Sequence, residues 1–309
     1  MKKLLVLLIA FVVVLTGCKN TDDLTKVKVM LDYVPNTNHT GLYVAQDLGF
    51  FEDEGLEVEI LNPGESGTEV AVDQNIAQFG ISYEENLSMA VDKGMNITSI
   101  AAVLQENTSG FVSRKESNVT KENLGDKTYC GWGTEIEENL VNYAAGKKVK
   151  QVVGSNGFIN GGDGCDFYWE YAAWSLVEAK MAGIDFNFIP ITDYIDFYSP
   201  IIITNQKMLD EQPKVVKKFM KAVKKGYEYA STNPEDSAEI FSKANPDYEK
   251  DFIVESCKFI APYYVDDKGE FGSQDKDVWT NFTSFLNENN MIDEENVDKI
   301  NASYTNEYL

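Results

Sequence analysis

Short strand-like segments alternate with helical segments over the first two thirds of this chain, and this order limits the folds that it can form. Residues 27–33 and 56–61 alternate apolar and polar side chains, as strands with one solvated face do. Residues 42–48 between them have helical apolar spacing, and Gly49 and Gly55 mark breaks. A strand, a helix and a second strand in this order predict a right-handed parallel crossover.

The alternation continues along the chain and then gives way to long helices. Thr134 and Glu137 have capping-box spacing, so a helix is expected to begin at Thr134. From about residue 206 the pattern is that of long amphipathic helices. An α/β chain with parallel sheets is therefore predicted, with ligands at the carboxyl ends of strands. Further strand candidates are 78–82, 97–105, 126–133, 149–155, 186–191 and 199–205.

The first residues have the pattern of a secretory signal. Lys2 and Lys3 precede an apolar run that is too short for a membrane span, and small residues come before Cys18. Residues 1–17 therefore resemble a bacterial lipoprotein signal peptide, with cleavage before Cys18, lipid on its thiol, and residues 18–26 as a linker. An uncleaved anchor is the alternative. Either reading places the body of the protein outside the cytoplasm, at the cell membrane.

The charge of the chain excludes some partners. The net charge is -23, and loss of Lys2 and Lys3 with the signal makes it about -25. Nucleic acid is excluded because phosphate binding needs clustered basic residues. An anionic ligand is disfavoured, since Arg114 is the only arginine that could clamp it and helix N-termini would have to replace any other clamp.

Three cysteines, Cys130, Cys165 and Cys257, remain after Cys18. Their odd number and wide spacing argue against a disulfide framework and against a zinc site. Two readings stay open, buried free thiols or one bridge between Cys130 and Cys165. No nucleotide motif is present, so neither a cofactor nor a metal is expected.

The segment YVPNTNHTG, which follows the first strand, holds the best candidates for a binding site. Tyr33, Asn38 and His39 combine an aromatic ring, an amide and the only imidazole of the chain. Such a set suits a planar, nitrogen-rich heterocycle, by stacking and by hydrogen bonds to its edge. The alternative is that Asn38 and His39 only cap the next helix. One histidine without a catalytic signature also argues against an enzyme.

Three further places carry candidate residues. Tyr83 and Glu84 follow a short strand, where Glu84 could accept a hydrogen bond from a ligand or could simply begin a helix. Trp132 lies in a glycine turn, where its ring either packs within the lobe or forms a wall on which a ligand stacks. Glu170 lies among aromatic residues, of which strand alternation predicts that one set packs and the other lines a cleft. Those aromatic residues are Phe167, Tyr168, Trp169, Tyr171 and Trp174.

Several of these motifs together resemble one family over nearly all of residues 27–309. The family comprises the thiamine-pyrimidine-precursor binding proteins that serve ABC importers, and NTNHTG and NTSGF are its specific runs. The segments that carry the resemblance are Val34–Gly41, Gly49–Ile60, SGTE at 66–69, FGISYEE at 79–85, NTSGF at 107–111, GWG with IEE at 131–138, YSP at 198–200 and the final TNEYL.

The resemblance implies a type II periplasmic-binding-protein fold, in which two α/β lobes are joined by two crossover segments around a ligand cleft. Lobe 1 would comprise 27–110 and 203–309, and lobe 2 would comprise 111–202. The implied function is capture of a formylaminopyrimidine or hydroxymethylpyrimidine for thiamine salvage, by a monomer that delivers it to ABC permease subunits. A riboflavin-precursor or sulfonate binding protein is the alternative. A pyrimidine-making fungal enzyme shares the fold, but its cysteine-rich run has no counterpart here.

The resemblance also implies a set of cleft residues. Asn38, Tyr83 and Trp174 match cleft positions, Tyr33 stands where relatives often have tryptophan, and Tyr198 belongs to the YSP motif. Three other positions depart from the family pattern, namely Glu106 in place of histidine, Ala172 in place of tyrosine and Ser175 in place of an acidic residue. The extra carboxylate of Glu106 and the aromatic wall lost at Ala172 would suit a bulkier or more cationic heterocycle. Trp169 or Tyr168 would then take over the stacking.

Overall fold

The structure is a computed structural model that describes residues 24–154, 157–161 and 164–309. Residues 1–23, which include Cys18, lie outside the described part, so signal cleavage and lipidation stay predictions. Within the described ranges, no helix has both the length and the apolar character that crossing a bilayer requires.

The first sheet has five strands in the order β2-β1-β3-β10-β4. These strands are β1 (Thr25–Met30), β2 (Leu56–Leu61), β3 (Phe79–Ser82), β4 (Ile97–Ala102) and β10 (Ile201–Asn205). β1 is parallel to both β2 and β3, whereas β10 is antiparallel to β3 and β4. The expectation of a wholly parallel sheet is wrong here, because β10 enters from the other lobe instead of following a helix on the same sheet.

The second sheet also has five strands, in the order β7-β6-β8-β5-β9. They are β5 (Ser109–Arg114), β6 (Thr128–Gly131), β7 (Lys150–Val153), β8 (Phe167–Tyr171) and β9 (Phe186–Pro190). β6 is parallel to β7 and β8, and β5 is antiparallel to β8 and β9. The chain passes between the sheets from β4 to β5 and from β9 to β10. The Asn107 amide donates to the Phe197 carbonyl over 3.1 Å and so links these two crossovers.

Helices cover both sheets. The capping prediction is confirmed, since the Thr134 hydroxyl accepts from the Glu137 backbone N–H and the Glu137 carboxylate accepts from the Thr134 N–H, both over 3.4 Å. In chain order the helices are α1 (Thr40–Asp47), α2 (Phe50–Asp53), α3 (Thr68–Asp73), α4 (Glu84–Asp92), α5 (Glu135–Ala145), α6 (Gly157–Asn160), α7 (Val177–Met181), α8 (Gln206–Glu211), α9 (Pro213–Thr232), α10 (Pro234–Ala244), α11 (Lys250–Ile260), α12 (Lys276–Glu288) and α13 (Val297–Asn301).

Helix α9 fills the core of the first lobe. Its Phe219 ring stacks on Phe79 of β3, with ring centres 3.7 Å apart, and on Phe51 of α2. Two glycines let α9 approach α1 closely, because a Cβ on Gly226 would lie 2.1 Å from the Gly41 carbonyl oxygen. The burial of α9 therefore fixes the start of α1, which follows the YVPNTNHTG loop.

The cysteines of the second lobe are paired. Cys130 on β6 and Cys165, two residues before β8, form a disulfide with Cα atoms 5.7 Å apart. Cys257 of α11 is a buried free thiol. Of the two readings that the sequence left open, the structure supports the bridge, and the free-thiol reading holds only for Cys257. The bridge joins the two strands whose carboxyl ends carry Trp132 and Glu170.

Candidate functional site

A cavity of about 470 Å³ lies between the two sheets, at the carboxyl ends of β1, β3 and β8. Both lobes and the first crossover contribute to its wall, as expected for a cleft at strand ends. The lining residues are Asp32, Tyr33, Val34, Asn36, Thr37, Asn38 and Tyr83 from the first lobe, Thr108 from the crossover, and Trp132, Glu170, Tyr171, Ala173, Trp174 and Ser175 from the second lobe.

The loop after β1 is held by its own hydrogen bonds. The Asn36 side chain accepts from the Asn38 backbone N–H over 3.0 Å, and the Asn36 N–H donates to His39 Nδ1 over 3.1 Å. From below, the Tyr227 hydroxyl of α9 donates to the Asn38 carbonyl over 2.8 Å. These contacts fix the backbone of the turn, so the side chain of Asn38 is presented to the cavity at a defined place.

Asp32 is the charged centre of this wall. His39 Nε2 lies 2.6 Å from one carboxylate oxygen, and the Tyr83 hydroxyl donates to the other. Burial alone would raise the pKa of Asp32, but the interaction with His39 and the hydrogen bond from Tyr83 outweigh it and hold the pKa below its usual value. Because His39 Nδ1 accepts from the Asn36 N–H, the donor to Asp32 is the Nε2–H of the ring. Asp32 therefore keeps its negative charge at the cavity.

His39 itself does not line the cavity. Its side chain is fully buried behind Asp32, which corrects the prediction that the imidazole faces the cleft. The physical reason is that a turn of three residues brings His39 back under the strand end, where its Nε2 lies 2.6 Å from the Asp32 carboxylate. The histidine positions a carboxylate and also closes the capping turn, so the capping alternative describes part of its role.

Aromatic side chains form the walls. Tyr33 and Trp132 are exposed, at 64% and 61%, on opposite lobes. Tyr83 and Tyr171 face each other across the cleft, with ring centres 6.4 Å apart. Trp174 is held edge-on by Phe252 and Tyr248, at ring-centre distances of 4.6 and 5.2 Å. The cavity thus has both fixed and freely exposed aromatic faces, which suits a flat ligand.

Glu170 is the second carboxylate of the wall. It accepts a hydrogen bond from Ser175, and burial raises its pKa. Phe167, Tyr168 and Trp169 of the same strand are buried. The expected alternation between packing and lining sets is therefore not observed, because both faces of β8 are covered and only its carboxyl end reaches the cleft.

Four other candidates lie away from this cavity. Glu84 is fully buried and accepts from the Tyr198 backbone N–H over 2.7 Å, and the Tyr198 hydroxyl accepts from the Asp275 N–H. Glu106 is exposed on the first crossover, and Trp169 packs its ring against Phe111 at 5.5 Å. The prediction that Glu84 and Tyr198 line the cleft is corrected, since these residues join the second crossover to α4. Trp169 lines a smaller pocket that shares Tyr83, Trp132 and Tyr171 with the cavity, so it borders the cleft beside the main cavity.

The cavity contains residues that the sequence did not single out. Asp32, Asn36, Thr37, Thr108 and Tyr171 all line it. The signal for Asp32 was available, because a carboxylate directly follows the first strand at the predicted mouth. Thr108 and Tyr171 had no such signal, since their place depends on how the crossover meets the second sheet.

The N-terminus of α5, next to Trp132, already holds an acidic side chain. The backbone N–H groups of Trp132, Gly133 and Thr134 all donate to the Glu137 carboxylate, as does the Tyr129 hydroxyl. Arg114 donates instead to the Ile159 carbonyl, away from the cavity. Among the described residues that line the cavity there is no lysine, arginine or histidine. The described part of this wall therefore offers a bound anion no cationic side-chain clamp.

Two α/β lobes, two crossovers and a cleft at strand ends define the class of periplasmic binding proteins. Solved structures confirm this fold. A Candida albicans protein with the generic periplasmic-binding-protein fold has a TM-score of 0.65 at 17% identity, over 92% of this chain and 97% of that one. The MOPS-bound alkanesulfonate-binding protein from Xanthomonas axonopodis pv. citri has a TM-score of 0.68 at 9% identity, over 91% and 98%.

The chain belongs to the NMT1/THI5-like family, whose model matches residues 36–237. This confirms the resemblance found in the sequence. A formylaminopyrimidine-binding protein from Halalkalibacterium halodurans is 26% identical, over 94% of this chain and 95% of that protein. A 4-amino-5-hydroxymethyl-2-methylpyrimidine phosphate synthase from Legionella pneumophila is 24% identical, over 92% of each. Fold and family together define a solute-binding protein.

Proposed function

We propose that this chain is an extracytoplasmic solute-binding lipoprotein of an ABC importer, and that it captures a thiamine-related pyrimidine precursor for salvage. The observation that carries the proposal is the cavity wall, whose described residues combine exposed aromatic rings with two carboxylates and include no cationic side chain. The similarity to a formylaminopyrimidine-binding protein supports the choice of ligand.

An aminopyrimidine has the properties that this wall can recognise. Its flat ring would stack on Tyr33 or Trp132, and each stacked face contributes about 1 kcal/mol beyond area burial. Its amino hydrogens would donate to Asp32 or Glu170, and the Asn38 side chain could pair with a ring nitrogen. Because Asp32 is ionised and held by two donors, it accepts these bonds without reorganisation.

Capture would involve closure of the two lobes around the ligand. The cavity is lined from both lobes, and the crossovers between them are short. Rotation about the segments that contain Asn107 and Phe197 would bring Trp132 and Tyr33 closer together. The closed, monomeric protein, anchored through lipid on Cys18 at the outer face of the membrane, would then deliver the ligand to the permease subunits.

An enzymatic role is the main rival, because relatives at 24% identity are named as synthases. Binding without turnover is supported by the similarity to a formylaminopyrimidine-binding protein over nearly the whole chain. The Ser175 hydroxyl and the Glu170 carboxylate of the cavity wall form a hydrogen-bonded pair, so turnover has to be tested directly. Incubation of the purified protein with an aminopyrimidine, followed by mass spectrometry, tests this point. Recovery of the unchanged compound supports binding, whereas a new product would establish catalysis.

The ligand class is tested by thermal shift with aminopyrimidines, thiamine, riboflavin precursors and aliphatic sulfonates. A ligand that binds only the folded state raises the melting temperature. We expect a shift with a formylaminopyrimidine or hydroxymethylpyrimidine, a smaller shift in Glu170→Gln, and an unchanged shift in Arg114→Ala. A shift only with sulfonates that is lost in Arg114→Ala would overturn the proposal.

A further inference from the structure

Helix α9 carries a stripe of six lysines along its exposed side. Successive lysines are spaced by one or three residues, so they project within one third of the helix circumference. The opposite side of the helix packs into the core of the first lobe through Val216, Phe219 and Tyr227. In a chain of 27 basic and 50 acidic residues, this is a concentrated positive surface. The lysine stripe comprises Lys214, Lys217, Lys218, Lys221, Lys224 and Lys225.

Only part of the lysine stripe is neutralised by the protein. Lys221 and Lys225 share one carboxylate, that of Glu54, at 2.7 and 3.7 Å, and Lys224 pairs with Glu228 at 3.7 Å. Lys214, Lys217 and Lys218 are exposed, and in the described ranges no carboxylate forms an ion pair with any of them. The amino-terminal half of the stripe therefore keeps its positive charge.

The lysine stripe lies beside the point where the chain enters the first lobe. The Thr25 backbone N–H donates to the Gly55 carbonyl over 3.0 Å, and a Cβ on Gly55 would lie 3.5 Å from Lys218 Nζ. Cys18 precedes Thr25 by seven residues, which can span at most about 25 Å. A bilayer that holds a lipid on Cys18 is therefore within reach of Lys218 and its neighbours.

The cleft lies at the other end of the same sheet. β1 runs from Thr25, beside the lysine stripe, to Met30, and Asp32 follows at the cavity. Six residues of strand span about 20 Å. A surface in contact with the stripe would therefore lie about one strand length from the cavity.

We infer that the lysine stripe of α9 docks on anionic phospholipid headgroups, and that it holds the first lobe against the bilayer with the cavity at the far end of the sheet. The inference rests on the lipid anchor of the proposed function. An acidic protein is repelled by an anionic membrane, so a single basic face also selects one orientation. A lipid and a basic surface together give firmer attachment than one lipid chain alone, and phosphate groups are the partners that exposed lysines accept.

Amine-reactive labelling, read by mass spectrometry, tests this docking on the full chain purified from membranes. The protein is reconstituted on vesicles of phosphatidylcholine alone and of phosphatidylcholine with an equal part of phosphatidylglycerol. We expect Lys214, Lys217 and Lys218 to react several-fold more slowly on the anionic vesicles, and high salt to remove the difference. Lys147, Lys148 and Lys150, exposed on the second lobe, serve as internal controls.

Two charge-matched variants sharpen the result. K214Q/K217Q/K218Q should restore the labelling of Lys221 to its rate on phosphatidylcholine, whereas K147Q/K148Q/K150Q should leave Lys221 protected. Equal labelling on both vesicles, or equal protection of the second-lobe lysines, would overturn the inference. Protection of the lysine stripe by an acidic protein in solution, without vesicles, would also overturn the inference.

The anchor and the ligand site are tested apart from the docking. If the chain does not float with phosphatidylcholine vesicles, the anchor of the proposed function fails. Flotation with the anionic vesicles then tests the stripe directly, because it should be lost only in K214Q/K217Q/K218Q, and equal flotation of both variants would overturn the docking. Thermal shifts with pyrimidines report the ligand site and should be the same in both variants.

Discussion

His39 holds Asp32 at 2.6 Å from a fully buried position, and of the two side chains only Asp32 reaches the cavity. The imidazole donates through Nε2 and accepts from the Asn36 backbone through Nδ1. One ring thus fixes a carboxylate and the turn beside it. The chemistry of the site depends on this pair, because the carboxylate would otherwise be a buried charge with one donor fewer.

Replacement of His39 by alanine should weaken both folding and ligand binding. It removes a hydrogen bond to a buried carboxylate and leaves the Asn36 N–H without its acceptor, a loss of about 1–3 kcal/mol. Denaturant unfolding and ligand titration measure the two effects. Asn36→Ala removes the side-chain hydrogen bonds to the Asn38 N–H and the Val34 carbonyl but leaves the contact between His39 and Asp32, so it is the comparison for unfolding and should cost less. Unchanged ligand affinity in His39→Ala would reduce the histidine to a helix cap.

A fall in pH should remove the stability that Asp32, in the same part of the cavity wall, contributes to the fold. The folded pKa of Asp32 lies below its unfolded value, so its contribution to stability is present above the unfolded pKa and is lost as the pH falls through the folded pKa. Asp32→Asn should flatten this acid limb of the stability curve, measured by denaturant unfolding over an acidic pH series. An unchanged limb in this variant would mean that other carboxylates govern acid unfolding.

Glu85 should have the opposite effect at higher pH, where the free energy of unfolding falls as the pH rises. Burial, and then the charge of Glu69, raise the pKa of Glu85 to about 8, and one of its carboxylate oxygens is buried without a partner among the described residues. The folded state therefore binds its proton more tightly, and stability falls as the pH rises from the ordinary value of a glutamate towards 8. Glu85→Gln should reduce this fall, whereas the exposed Glu116→Gln should not. Parallel curves for the two variants would contradict the assignment.

The sequence predicted the elements well because their signals are local. The capping box at Thr134 and the alternation in residues 56–61 depend on neighbours a few residues away, and both are found where they were expected. The direction of β10 was not predictable in this way, since it depends on the route of the chain between lobes. Strand pairing across 100 residues has no local signal.

The site was predicted in part, and the reason differs from one residue to another. Tyr33 and Asn38 follow a strand that ends at the cleft, so their position along the chain was enough to predict that they line it. His39 lies one residue further, and the tight turn removes it from the surface. Trp169 and Glu170 are adjacent, yet only Glu170 reaches the cavity, because the end of a covered strand is exposed and its middle is not.

The contact between α9 and α1 should tolerate no side chain at Gly226. A Cβ there would lie 2.1 Å from the Gly41 carbonyl oxygen, so Gly226→Ala must separate the two helices. We expect a loss of about 1–3 kcal/mol, the usual cost of overpacking a core. Gly64→Ala is the control, since a Cβ at that position meets nothing within 4 Å. Equal unfolding midpoints for the two variants would show that the helices can separate at no cost.

Trp132 should affect the ligand without affecting the fold. Its side chain is 61% exposed at the edge of the cavity, so Trp132→Ala exposes little new apolar surface and should leave the unfolding midpoint almost unchanged. Loss of one stacked face, at about 1 kcal/mol, corresponds to a roughly fivefold weaker ligand affinity. Isothermal titration with an aminopyrimidine measures this change. Ile76→Ala, at a residue 53% exposed elsewhere on the first lobe, is the control and should bind like the wild type. Equal affinities for both variants would mean that the ligand lies deeper, between Tyr83 and Tyr171.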